Sequence, residues 1–310
     1  MIHGNLIHLT MNMWEDREDL LRSGKFHRGY TPYMEFSDNT WEQVRTRMRD
    51  RKMNMAVWDL GDGILYHSHP EISVQGAWSA ARLRDELKKC RDAGLEVIPK
   101  LNFSTSHDTW LGKYSRMVST PEYYQVCRDL IAEVVELFGN PRFFHIGMDE
   151  EDAVSQKLYR YAVIRQGSLW WDDFNFYVQC VEKCGSAAWC WSDKLWSCGC
   201  EEFELNMPKS VIQSNWDYYK NFSLDSSNTH QREIQAFIDL ERMGYKQIPA
   251  GSNIAEADNY PLLVEFCRKN ITPENLLGFL MTPWREMSEK WADFQIDAVD
   301  IAAPAKCSLI

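Results

Sequence analysis

Eight short apolar segments recur along the chain with helical patterns between them, at residues 6–13, 55–60, 95–101, 143–148, 187–191, 211–214, 246–250 and 277–281. The helical stretches are 41–52, 77–93, 121–138, 169–183, 230–243, 261–269 and 286–301. From Glu122 onward the apolar residues of the third stretch fall three and four apart, as an amphipathic helix requires. Strand–helix units of roughly 35 residues, repeated eight times, predict an α/β fold, a single (β/α)8 barrel over residues 1–310. Gly94, Gly139, Gly185 and Gly244 stand where helices should end before the next strand. Pro121 and Pro273 stand near helix starts, where a missing N–H costs nothing.

Such a barrel carries its site at the C-terminal ends of its strands. Read in order, those ends bear Asn12 and Trp14; Trp58, Asp59 and Asp62; Asn102, Ser104 and His107; Asp149 and Glu150; Trp191, Asp193 and Trp196; Asn215, Trp216 and Tyr218; Asn253 and Glu256; Trp284 and Glu286. The turns entering the strands lack this concentration. Carboxylates and amides bind hydroxyls, and Trp faces stack on C–H surfaces, so a carbohydrate is the expected partner. No Gly-rich turn with Lys or Arg suggests phosphate, and no cofactor is expected. The net charge of −11, without a basic run, argues against nucleic acid and anionic membrane. No apolar run reaches about 18 residues, and the start is not signal-like, so a cytoplasmic location is expected. The nine cysteines read as mostly reduced thiols. Cys180, Cys184, Cys190, Cys198 and Cys200 cluster in sequence but form no CxxC pair, and no metal is expected. Oligomeric state is left open.

The fourth strand ends in His145-Ile-Gly-Met-Asp149-Glu150, followed by two more carboxylates. Strand alternation puts Phe144, Ile146 and Met148 on one side and His145, Gly147 and Asp149 on the other. Asp149 and Glu150 are neighbours, so they share a site only if the strand stops about there. Two such carboxyls repel when both are ionised, which favours a proton donor beside an anion. The same residues would also suit the first turn of an acidic helix. His145, inside the strand, reads as a core histidine.

These motifs resemble the catalytic barrel of glycoside hydrolase family 20, the β-N-acetylhexosaminidases. His145 to Glu150 is similar to that family's His-x-Gly-Gly-Asp-Glu, and the segment from Val97 to His107 to its strand three ending in Pro-Gly-His. Trp58-Asp-Leu-Gly-Asp62, Trp191-Ser-Asp193 and Trp284-Arg-Glu286 resemble its segments on strands two, five and eight. The resemblance implies hydrolysis of a terminal β-linked N-acetylhexosamine assisted by the substrate's own acetamido group. It assigns Glu150 as acid/base and Asp149 as the acetamido partner, with His107 and Asp62 (or Asp59) in support. Trp191, Trp284 and a Tyr such as Tyr218 would wall the pocket, and Glu286 would hold sugar hydroxyls. Asn12, Asp59, Asp193 and Trp216 complete the expected sugar-binding set. The chain departs from the family pattern at Met148, where the motif has its second Gly, and at Thr105-Ser106, where it has Pro-Gly. Arg17 is the nearest match to a sugar-binding Arg after strand one. Two rivals remain: a retaining glycosidase with Glu286 or Asp193 as nucleophile on sugars without an acetamido group, and a carbohydrate-binding barrel without turnover.

Overall fold

The structure, a computed structural model, describes residues 1–16 and 29–303. Arg17 and much of the loop after the first strand lie outside the described residues. Eight parallel strands, β1 (Ile2–His8), β2 (Met55–Asp59), β3 (Glu96–Lys100), β4 (Phe143–His145), β5 (Ala187–Trp191), β6 (Ile212–Ser214), β7 (Ala250–Gly251) and β8 (Gly278–Met281), run in the order β6-β5-β4-β3-β2-β1-β8-β7. Bridges Gln213–Gln247 and Trp216–Ala250 join β6 to β7, and Ala250 N–H donates to Asn215 O at 2.9 Å. The sheet therefore closes on itself as a (β/α)8 barrel, as the strand spacing predicts.

Helices α1 (Asp38–Asp50), α2 (Ala80–Asp92), α3 (Pro121–Phe138), α4 (Ser168–Lys183), α5 (Asp193–Asn206), α6 (Gln231–Arg242), α7 (Asn259–Asn270) and α8 (Ala292–Ala302) alternate with the strands. Ser37, Ser79 and Thr120 accept hydrogen bonds from the backbones of Thr40, Arg82 and Tyr123, which caps α1, α2 and α3. Gly139 ends α3 in the left-handed conformation expected of it (φ 74°).

Two strands are shifted along the chain from the sequence reading. β1 lies earlier than residues 6–13, because His8 is paired with Asp59, the last residue of β2, and the chain beyond it turns toward the mouth. β7 is later and shorter than 246–250, because Pro249 has no N–H to give the ladder. Helix α5 has no counterpart among the expected helices. Gly199 (φ 77°, ψ 171°) breaks it in the middle and hides its periodicity.

Alternation sorts the strand residues into two cores. Ala56, Trp58, Phe144 and Ile146 pack outward under the helices. Ile2, Leu6, Val57, Ile98, Trp189, Ile248 and Leu280 fill the barrel. Above that apolar plug, on the same inward faces, sits a polar layer. There Lys100 Nζ lies 2.5 Å and His8 Nδ1 3.2 Å from Asp59 Oδ2. Burial acts to raise the Asp59 carboxyl's pKa, but Lys100 and His8 outweigh it and hold it well below the usual carboxylate range. His145 is fully buried beside this layer. Burial, then the Lys100 charge, pushes its pKa far down, so it is a neutral core histidine. No described helix is long and apolar enough to cross a membrane.

Candidate active site

The strand-four segment leaves the sheet after His145, three residues earlier than alternation alone suggests. Gly147, Met148 and Glu150 then take left-handed backbone angles (φ 72°, 77° and 51°). A left-handed residue between extended ones turns the chain, which lets the adjacent side chains of Asp149 and Glu150 reach one place. For Met148 and Glu150 this costs on the order of 1–2 kcal/mol each.

That strain is held by the segment that follows β3. Asn102 Nδ2 donates to Asp149 Oδ1 at 2.8 Å, while Asn102 Oδ1 accepts from Met148 N–H and Ser104 N–H, each at 3.1 Å. Ser104 Oγ donates to the Asp149 carbonyl, and Ser106 Oγ to the Glu150 carbonyl at 2.6 Å. The turn after β3 thus uses Ser104 and Ser106 to clasp the two carboxylate-bearing residues. Glu151 turns away into a buried clamp. Arg165 lies 2.5 Å from it and 3.1 Å from Asp173, and also donates to Phe103 O at 2.8 Å.

His107 stands between the paired acids. Its Nδ1 is 3.5 Å from Asp149 Oδ1 and its Nε2 is 3.5 Å from Glu150 Oε2. Burial alone would lower its pKa, but the Asp149 charge and Glu150 outweigh that, and the net direction is upward. The Asp149 side chain is 7% exposed and that of Glu150 is 39% exposed. One carboxylate is therefore sequestered while its neighbour faces the mouth. The three donor atoms lie within 4.8 Å of one another, close enough to consider a cation. The two ring nitrogens address different carboxylates, however, which suits a shared proton better than ligands converging on one point. No other such group occurs among the described residues, so the cysteines do not converge on a metal site. The eight described cysteines are unbonded.

The remaining walls form a closed circuit. Glu150 N–H donates to Asp193 Oδ2 at 3.1 Å, and Trp216 Nε1 donates to Asp193 Oδ1 at 2.8 Å. Trp216 stacks on Tyr218 (4.8 Å), and Trp284 Nε1 donates to Tyr218 Oη at 2.8 Å. Trp14 stands edge-on to both Trp284 (6.0 Å) and His107 (6.1 Å), which returns the circuit to Glu150. Trp191 lies 6.1 Å from Trp284, and its buried indole N–H has no acceptor among the described residues.

The fold is similar to that of solved β-N-acetylhexosaminidases. No protein-family model matches the chain, and no curated protein matches it in sequence. Solved structures do. A Flavobacterium johnsoniae chitobiase shares 15% identity over 86% of this chain and 46% of its own, with a TM-score of 0.62. A Vibrio harveyi GH20 exo-β-N-acetylglucosaminidase, solved with N-acetylglucosamine, shares 13% over 97% and 54%, at 0.62. Dispersin B shares 14% over 96% and 98%, at 0.59. The chain thus spans about half the length of the first two, and the likeness at these identities is one of fold.

Some expected residues sit elsewhere than at the mouth. Thr10 Oγ1 (2.6 Å) and Asn12 Nδ2 (2.8 Å) donate to the two oxygens of Asp62, which is fully buried. Asp62 therefore braces the strand-one loop and makes no described contact with His107. Asn12 also donates to Thr31 O at 2.8 Å, and Asp59 belongs to the layer inside the barrel. Glu286 is buried and accepts from Trp291 Nε1 at 2.7 Å. Conversely, Lys100 and Arg165 shape the site without having been singled out. A lone Lys in the apolar run Val97-Ile-Pro-Lys-Leu is the one signal that pointed to either of them.

Proposed function

We propose that this barrel is a retaining glycoside hydrolase that removes terminal β-linked N-acetylhexosamine, GlcNAc or GalNAc, with the substrate's acetamido oxygen as nucleophile. The observation that carries this reading is the His107 bridge between a sequestered Asp149 and an accessible Glu150. Glu150, facing the mouth, would protonate the departing glycosidic oxygen and later take a proton from water. Asp149, fixed by Asn102, would accept the acetamido N–H and offset the positive charge that grows as the acetamido oxygen attacks the anomeric carbon. His107, 3.5 Å from an oxygen of each acid, would orient the pair. Trp191, Trp284, Trp216 and Tyr218 would enclose the sugar and its acetyl group, and the spare Trp191 N–H is a donor for it. The solved relatives named above include one holding N-acetylglucosamine, which supports the substrate class.

A second protein carboxylate as nucleophile has less support. Both oxygens of Asp193 accept hydrogen bonds, and Glu286 is engaged by Trp291. The test is hydrolysis of chromogenic β-GlcNAc and β-GalNAc substrates beside β-glucoside and β-galactoside, by wild type and Glu150→Gln. Selective cleavage of the acetamido sugars, lost in Glu150→Gln, supports substrate assistance. Equal cleavage of the plain sugars rejects it in favour of two carboxylates, and sugar binding without cleavage rejects turnover.

A further inference from the structure

Asp193 is the first residue of α5, set at the end of β5, and its side chain reaches two neighbouring strand ends at once. Toward β4 it accepts the backbone N–H of Glu150, a residue held at φ 51°. Toward β6 it accepts the indole N–H of Trp216, which in turn stacks on Tyr218. A left-handed non-Gly residue persists only where its surroundings over-determine it. The Glu150 carbonyl is held by Ser106 on one side and its N–H by Asp193 on the other.

We propose that Asp193 is a positioning residue, which locks the proton-donor turn at Glu150 to the aromatic wall at Trp216, and that it is not a nucleophile. This rests on the reading of Glu150 as the proton donor. The charge state agrees. Burial, then the charges of Asp149 and Glu150, pushes the Asp193 carboxyl well above its usual range, and the bonds from Trp216 and Glu150 do not reverse this. A neutral carboxyl cannot attack an anomeric carbon, but it still accepts N–H bonds. It places a third carboxyl beside Asp149 and Glu150 without a negative charge of its own.

Asp193→Asn and Asp193→Ala separate the possibilities, with hydrogen exchange at the Glu150 amide and kinetics on chromogenic β-GlcNAc as readouts. Asp193→Ala should speed exchange at that amide by about tenfold, the loss of one hydrogen bond, with the melting temperature and exchange in β1 to β3 kept. It should lower kcat by about 10²-fold with little change in KM. Asp193→Asn, a neutral isostere, should restore most of that kcat, and the alkaline limb of its pH profile should stay where the wild type has it. Unchanged exchange at Glu150 in Asp193→Ala overturns the proposal whether or not the enzyme turns over. So does a loss in Asp193→Asn as complete as that of Glu150→Gln, or an alkaline limb moved to lower pH, which would mean that a negative charge had been removed. Altered exchange in a protein that cleaves no acetamido sugar would leave the positioning role standing and reject the substrate reading.

Discussion

Gly147 and Asn102 approach so closely that a Cβ on Gly147 would lie 1.9 Å from Asn102 Oδ1 and 2.7 Å from Asn102 Cα. This contact lets one amide hold Asp149, Met148 and Ser104 together. Gly147→Ala should destabilise the protein by about 3 kcal/mol or more, because the clash adds to the strain of its positive φ. Gly139→Ala is the control: φ is similar at 74°, but no atom lies within 4 Å of the added Cβ, and about 1 kcal/mol is expected. Urea unfolding of the two variants measures the difference. Adding Asn102→Ala should rescue little, since the backbone Cα is also in the way.

Asp149→Asn tests the acetamido role apart from proton donation. The variant should lose about 10²- to 10³-fold in kcat, with a smaller change in KM. Its preference for β-GlcNAc over β-glucoside should shrink. A variant that keeps both rate and preference would remove Asp149 from the mechanism.

Asp62 gives the protein a pH-dependent stability. Burial raises its carboxyl from 3.8 to about 7, against the hydrogen bonds from Thr10 and Asn12. The folded state therefore holds a proton over the interval in which the unfolded chain has already lost it. Stability is full below the lower value, falls as pH rises through the interval and levels off above the upper one. The bound on this effect is on the order of 4 kcal/mol at about 1.4 kcal/mol per pKa unit. Asp193 and Asp108 are raised in the same direction, whereas the lowered His145 and His8 act in the opposite sense. Asp62→Asn should flatten its share of the slope, seen as a smaller drop in melting temperature between about pH 4 and pH 8.

Arg165 is 2% exposed, and its partners Glu151 and Asp173 are 3% and 0% exposed. Arg165→Met would strand two buried carboxylates and should cost about 3–5 kcal/mol. The loss should be smaller in acid, where both can protonate. The exposed pair Arg142–Glu96, at 52% and 36%, is the contrast, and Arg142→Ala should cost less than about 1 kcal/mol. Chemical denaturation of both variants at two pH values decides the matter.

Dialysis against a chelator should leave melting temperature and turnover unchanged, because the His107 nitrogens face two different acids. A fall that zinc restores would show instead that His107, Asp149 and Glu150 hold an ion.

The barrel was legible in sequence because its strands are apolar runs punctuated by glycines, as at 187–191 and Gly139. α5 was not, because Gly199 interrupts it. The site was legible in part. The strand-end rule selects His107, Asp149 and Glu150, since it asks only where a residue lies along the chain. It cannot tell which way a side chain turns, so Asp59, Asp62 and Asn12, at equally good positions, proved to be spent on Lys100, Thr10 and Thr31. The left-handed Met148 was equally hidden. Its conformation is imposed by Asn102, 46 residues away, and no local pattern records that.

The circuit from Glu150 through Asp193, Trp216, Tyr218, Trp284, Trp14 and His107 has no loose end. Each member is gripped from two sides, so the rim resembles a masonry arch more than a row of independent posts. Removing one stone disturbs both neighbours, and effects of paired substitutions should depart from additivity around the ring. Redesign for a bulkier sugar would therefore have to replace adjoining members together.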